Sequence, residues 1–171
     1  AMKIVTLTLS PAFDIHCTAD ELVLDHENIA AVTDRDAGGK GVNISRALHA
    51  YGVANTAVIV AGEENGEAFL SSLARAGIEA VAIYTPGRIR ENITVHTANG
   101  KETRLSFQGS PAPLDLMGRV AAVTDALCPS GSLLTLTGRV PDGLPLDSVK
   151  DYVRALQARG VRVVIDSRSF S

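Results

Sequence analysis

The sequence predicts an α/β fold: an open parallel sheet with helices on both faces, joined to a small, half-exposed antiparallel layer. Three observations predict it. Short β-branched apolar runs alternate with segments of helical period through most of the 171 residues, the pattern of βαβ units. Two stretches, about 12–36 and 88–107, lack that texture and read as half-exposed strands. A hydrophobic share of 46% is enough for a buried core in a chain of this length.

Taken in order, Ile4–Leu9 reads as a buried strand. Residues 14–22 and 29–36 are mixed polar and β-branched, without helical period. Val42–Tyr51 reads as a helix, with Ile44, Ala47, Leu48 and Tyr51 on one face and Gly52 as its stop. Thr56–Ala61 is a second buried strand. Residues 65–76 form a helix with Phe69, Leu73 and Ala76 inward and Gly77 at its end. Ala80–Tyr84 is a strand. Arg90–Thr97 and Lys101–Phe107 alternate on either side of Asn99-Gly100, a strong hairpin signal. After Pro111 and Pro113 come a helix over 114–127 and a strand over Leu133–Thr137. A helix marked by Val149, Tyr152, Val153 and Leu156 ends at Gly160, and Val161–Asp166 is the last strand. An open sheet normally continues past such a strand. Its exposed edge therefore points to a chain cut within a larger domain.

Composition narrows the function. Net charge is −3 with acids and bases interspersed, which argues against nucleic-acid and membrane-surface partners. Cys17 and Cys128 are far apart and fit a reducing cytoplasm without disulfide or zinc. The N-terminus is too short and too lightly basic for a signal peptide, and no run has transmembrane length. Ala1 before Met2 reads as a remnant of cloning. His16, His26, His49 and His96 show no metal spacing, and no metal ligands stand out; His49 reads as structural.

In open α/β sheets, ligands bind beyond the carboxyl ends of the strands. The loops there are Ser10–Asp14, Gly38–Asn43, Arg88–Asn92 and Gly138–Asp142, with Asp166 at a fifth strand end. Gly38-Gly39-Lys40-Gly41-Val42-Asn43 runs into a helix start and suits an anionic or polyhydroxyl ligand. It is neither a Walker A loop nor a dinucleotide fingerprint. Asp14 is placed to accept hydrogen bonds from vicinal hydroxyls, or else to cap a turn. Asn43 on its own reads as a helix-capping residue. Arg90, with Asn92 beside it, offers a guanidinium fork for phosphate, and Arg104 and Arg139 are further candidates. A solvated surface role is the alternative for each arginine.

Together these stretches resemble the PfkB (ribokinase-like) carbohydrate kinases, and most of all their sugar-phosphate branch. The matching residues are Ile4–Asp14, Gly38–Leu48, Arg90–Ile93, Leu136–Gly143 and Val163–Ser167. The resemblance implies ATP-dependent, Mg2+-assisted phosphorylation of a phosphorylated ketohexose of the fructose 1-phosphate or tagatose 6-phosphate type. It assigns the sugar to Asp14, Gly39 and Asn43 and the existing phosphate to Lys40 and Arg90, with Arg104 or Arg139; Gly38 and Asn92 join them as substrate-binding candidates. It implies a ribokinase-like core over 1–11, 37–87 and 108–171, and a β lid over 12–36 and 88–107 that pairs two copies into a homodimer. Two stretches depart from the branch, Leu105–Gly109 and Thr137–Arg139. The family's Gly-Ala-Gly-Asp stretch, which carries the catalytic base, does not occur in these residues. No catalytic residue is therefore expected on this chain, and no turnover from it alone. An unphosphorylated sugar or nucleoside as acceptor remains open, as does a non-catalytic sugar-binding or dimerisation module.

Overall fold

The computed structural model describes residues 2–170; Ala1 and Ser171 lie outside it. Nine strands and four α-helices follow one another along these residues, with a short 3-10 turn over Arg168–Phe170. They are β1 (Ile4–Thr8), β2 (Ala12–Ala19), β3 (Ala31–Gly38), α1 (Lys40–Ala50), β4 (Thr56–Gly62), α2 (Gly66–Arg75) and β5 (Ala80–Thr85). The chain continues with β6 (Arg90–Thr97), β7 (Glu102–Leu105), α3 (Leu116–Leu127), β8 (Leu133–Thr137), α4 (Leu146–Ala158) and β9 (Arg162–Asp166).

Five strands form a parallel sheet in the order β5-β4-β1-β8-β9. Its central strands are buried on both faces, and Thr6 and Thr8 of β1 and Thr135 and Thr137 of β8 are buried there beside the apolar residues. On one side, Val5, Leu7, Val58, Leu134 and Leu136 pack against Leu116 and Val120 of α3 and Val149, Val153 and Leu156 of α4. On the other, Ala57, Ile59 and Ala61 pack against Val42 of α1 and Phe69 and Leu73 of α2. β9 is an edge strand, with Val164 and Ile165 largely exposed. Among the described residues no helix is long and apolar enough to cross a membrane.

The second sheet has the order β3-β2-β6-β7. It is mixed, whereas the sequence reading expected an antiparallel layer. β2–β3 and β6–β7 are antiparallel, but β2 and β6 run parallel. The reason lies in the connections. Residues 20–30 join β2 to β3 and residues 98–101 join β6 to β7 with no element between, whereas α1, β4, α2 and β5 intervene between β3 and β6, a crossover long enough for parallel pairing.

α1 departs from expectation in register and in face. It begins at Lys40, so Lys40 and Gly41 belong to its first turn and not to a loop. Its buried residues are Gly41, Val42 and Ser45; Tyr51 is 86% exposed, and His49 lies at the surface and not in the core. Small residues win the inward face because the helix start lies directly on β1. A Cβ at Gly41 would fall 2.2 Å from Thr8 Oγ1, and the hydroxyls of Thr6 and Ser45 bond each other at 2.6 Å in the interior.

Gly62 plays a similar part at the end of β4. A Cβ there would lie 2.5 Å from the Arg88 backbone, so its absence lets the segment leading into β6 come down on the sheet. Backbone cannot rotate away as a side chain can. Gly62→Ala is expected to cost about 2 kcal/mol of stability, read by denaturant unfolding.

Candidate functional site

The chain moves outward from β1 through β4 to β5, then returns to the far side of β1 as β8 and β9. The switch point therefore lies between the carboxyl ends of β1 and β8, where open sheets hold their ligands. Ser10 and Pro11 leave β1 here, and Gly138 and Arg139 leave β8. The second sheet stands beside this crevice because β2 follows β1 after three residues and β3 runs straight into α1.

Asp14 lies within β2, not in a turn. It pairs with Asp36 of β3 and Asn92 of β6 in the ladder. Its carboxylate sits directly over Gly38, where a Cβ would fall 2.5 Å from Oδ2. Oδ1 lies 3.4 Å from Asn92 Nδ2 and 3.6 Å from Arg104 Nη2. Gly39 precedes α1 with φ 130° and ψ 150°, a conformation that glycine alone adopts without strain. No side chain caps α1, so the amides of its first turn are left for a ligand. Asn43 is exposed in that turn and makes no cap; its N–H donates to Gly39 O at 2.9 Å.

The arginines gather on Arg90. Its Nη2 donates to Ser10 O at 3.2 Å, while its Nε is buried without a partner. Burial lowers the Arg90 guanidinium below its ordinary pKa; Arg139 and Arg104 lower it further, and Asp14 opposes them. Three guanidiniums thus gather near the Asp14 carboxylate. Small cavities of about 40 and 20 Å³ adjoin it, both lined by Ser10, Gly109 and Ser110, the first also by Arg90 and the second by Arg139.

Two expected residues are engaged elsewhere. Lys40 pairs with Asp166 at 3.7 Å, at the carboxyl ends of β8 and β9. Asn92 is buried, and both ends of its amide are in use: Nδ2 faces Asp14, and Oδ1 accepts the Phe107 N–H at 3.3 Å. It braces Asp14 rather than facing the crevice. Sequence reasoning missed Ser10 and Ser110. Ser10 supplies the carbonyl that holds Arg90, and Ser110 Oγ accepts the Arg88 N–H at 3.1 Å. Each precedes a proline, and Ser-Pro is a turn signal that marks both positions.

The parallel sheet, its switch-point crevice and the flanking mixed sheet define an open α/β protein with a cationic candidate site. The model of the pfkB family of carbohydrate kinases matches residues 10–170. The chain belongs to that family. It is 27% identical over 167 residues to the ATP-dependent 6-phosphofructokinase isozyme 2 of Escherichia coli, covering 97% of this chain and 54% of that protein. It is 31% identical over 170 residues to the 1-phosphofructokinase of Rhodobacter capsulatus, covering 97% of this chain and 53% of that one. The crystal structure of phosphofructokinase-2 from Escherichia coli in complex with fructose-6-phosphate superposes with a TM-score of 0.88 at 26% identity. That match covers 98% of this chain and 55% of the other. The chain spans about half the length of the curated relatives it matches.

Proposed function

We propose that this chain forms the sugar side of a kinase that transfers a phosphoryl group from ATP to a phosphorylated ketohexose. The observation that carries the reading is Arg90: a half-buried guanidinium with an unpartnered Nε, beside two further arginines. An unphosphorylated sugar has no charge to offset that cost; a phosphate does, through bidentate, charge-assisted bonds. Arg90, Arg104 and Arg139 hold the phosphate already present. Asp14 accepts bonds from two hydroxyls, and the backbone at Gly38 and Gly39 lets the ring approach. Asn43 offers its exposed amide, Asn92 fixes Asp14, and Lys40 adds positive charge beside Asp166.

The mixed sheet acts as a lid over the sugar and excludes water from the transfer. Its far face is apolar. Ile15, Cys17 and Val95 are buried there, while Val32 and Leu105, in register with Cys17 and Ile93, are 59% and 54% exposed. A second copy covering this stripe gives a cytoplasmic homodimer. Among the described residues no three His, Cys, Asp or Glu side chains are grouped to hold a metal ion.

The test is a binding panel of fructose 1-phosphate, fructose 6-phosphate, tagatose 6-phosphate and fructose, together with ATP-dependent transfer in the protein that carries this chain. The reading expects at least about tenfold preference for a phosphorylated ketose. Equal binding of fructose would sink it.

A further inference from the structure

Arg90 is the first residue of β6, where the chain leaves the parallel sheet and enters the mixed one. Its guanidinium is held by the Nη2 bond to the Ser10 carbonyl at 3.2 Å, and Nε has no partner. One such bond does not fix the direction of a fork that must meet two phosphate oxygens to within about 0.5 Å. The direction of Arg90 therefore depends on the backbone that carries it.

That backbone is tied to the parallel sheet rung by rung. The last pair of β4 and β5 is Gly62 with Thr85. Beyond it, the Glu63 N–H donates to Thr85 O at 2.9 Å and the Glu64 N–H to Gly87 O at 3.0 Å. The next rung is made by a side chain. Asn65 Oδ1 accepts the Ile89 N–H at 2.8 Å, and Asn65 Nδ2 donates to Ile89 O at 2.9 Å. Thr85, Gly87 and Ile89 are alternate residues, as successive rungs require. The Asn65 amide thus stands in for a peptide group and carries the ladder to the residue before Arg90.

Asn65 does this in place of a bond that its position favours. It stands at the N-cap of α2, where asparagine ordinarily bonds a free amide of the first turn, yet it makes no such bond. Ile89 is buried with Phe13 and Phe69, and the N–H and C=O of a buried residue need protein partners. Asn65 supplies both. Arg88, one residue earlier, is fixed as well: its backbone lies on Gly62, and its N–H donates to Ser110 Oγ at 3.1 Å.

We propose that Asn65 is a positioning residue for recognition of the substrate's phosphate: by clamping Ile89 it sets the direction of Arg90, and with it the preference for a phosphorylated over an unphosphorylated ketose. The inference rests on the sugar-phosphate reading of the site. Asn65 acts through the Ile89 backbone and not on the ligand. Asp14 is carried by β2, outside the clamp, so recognition of the sugar hydroxyls does not depend on Asn65. Without the clamp, Ile89 keeps its apolar packing but loses the two bonds that orient its peptide groups. Arg90 then samples directions in which only one arm of its fork reaches the phosphate.

The experiment measures affinity for fructose, fructose 1-phosphate and fructose 6-phosphate in the protein that carries this chain. The variants are Asn65→Ala, Asn65→Asp and Arg90→Gln, with each Asn65 change also made in the Arg90→Gln background. The readout is the phosphate preference, the affinity for the better-bound fructose phosphate divided by that for fructose. A loss of folded protein lowers both affinities alike, so a merely structural role does not move this ratio. Asn65→Ala is expected to cut the preference about fivefold, the scale of one hydrogen bond, and to leave fructose affinity within about twofold. Asn65→Asp keeps the acceptor for the Ile89 N–H and loses the donor to its carbonyl; it should also cut the preference, and it serves where alanine does not fold. In Arg90→Gln neither change should cut the preference further. An unchanged preference in Asn65→Ala, or in Asn65→Asp where alanine does not fold, overturns the inference. A cut that persists at full size in Arg90→Gln overturns it too, since Asn65 would then act on something other than Arg90. A preference that survives Arg90→Gln intact overturns the sugar-phosphate reading instead.

Discussion

Replacing Arg90 with glutamine is expected to weaken binding of a phosphorylated ketohexose by about a hundredfold while leaving fructose binding nearly unchanged. A hydrogen-bonded charge pair is worth about 1.5–3 kcal/mol when one partner is removed, and this guanidinium anchors the cluster. The same change should leave the fold no less stable. Arg90 is desolvated and crowded by Arg139 and Arg104, which lowers its pKa in the folded chain. A base whose folded pKa is depressed costs stability at every pH where it is charged, here the whole neutral range, and that cost ends when the charge is removed. A bound anion relieves the cost by the opposite route. The wild type should therefore melt higher with a sugar phosphate present, and Arg90→Gln should lose that shift. Calorimetric titration and thermal melts on both proteins test it. A variant that melts much lower and binds equally weakly with and without the phosphate would assign Arg90 to the scaffold.

The separation of binding from stability explains which parts of this molecule were readable from sequence. The parallel sheet announces itself through β-branched runs such as Thr56–Gly62, because a strand buried on both faces carries apolar or β-branched residues at every position rather than at alternate ones. The glycine pair and Asp14 stood out in the sequence as candidates, and the structure brings the Asp14 carboxylate directly over Gly38. The inward face of α1 did not stand out. Periodicity weighs apolar bulk, so it chose Ile44, Leu48 and Tyr51; the helix start lies so near β1 that Gly41, Val42 and Ser45 take the inward face instead. The parallel pairing of β2 with β6 was hidden as well, since alternation reports that a strand is half exposed but not which neighbour it takes. The His16–His96 contact and the Ser10 carbonyl under Arg90 each join residues 80 apart in the chain, and no local pattern carries such a contact.

Gly38→Ala should remove sugar binding of every kind, by about a hundredfold, at a stability cost below about 1 kcal/mol. Gly38 has no positive φ, so alanine fits its backbone. The added Cβ would lie 2.5 Å from Asp14 Oδ2 and 3.3 Å from Ala12 O. Only the first contact is too short to keep, and it ends on a side chain that can turn. Asp14 therefore swings away, giving up Asn92 and Arg104 and, on the reading above, the sugar hydroxyls. Fructose and its phosphates should suffer alike, which separates this variant from Arg90→Gln. Gly62→Ala supplies the contrast, since its added atom meets backbone and its damage falls on stability. A double-mutant cycle makes the argument sharp. If Gly38 acts only by leaving room for the Asp14 carboxylate, then Gly38→Ala combined with Asp14→Asn should bind no worse than Asp14→Asn alone. Additive losses would mean instead that the Gly38 backbone itself meets the sugar, and that the carboxylate and the glycine are independent contacts.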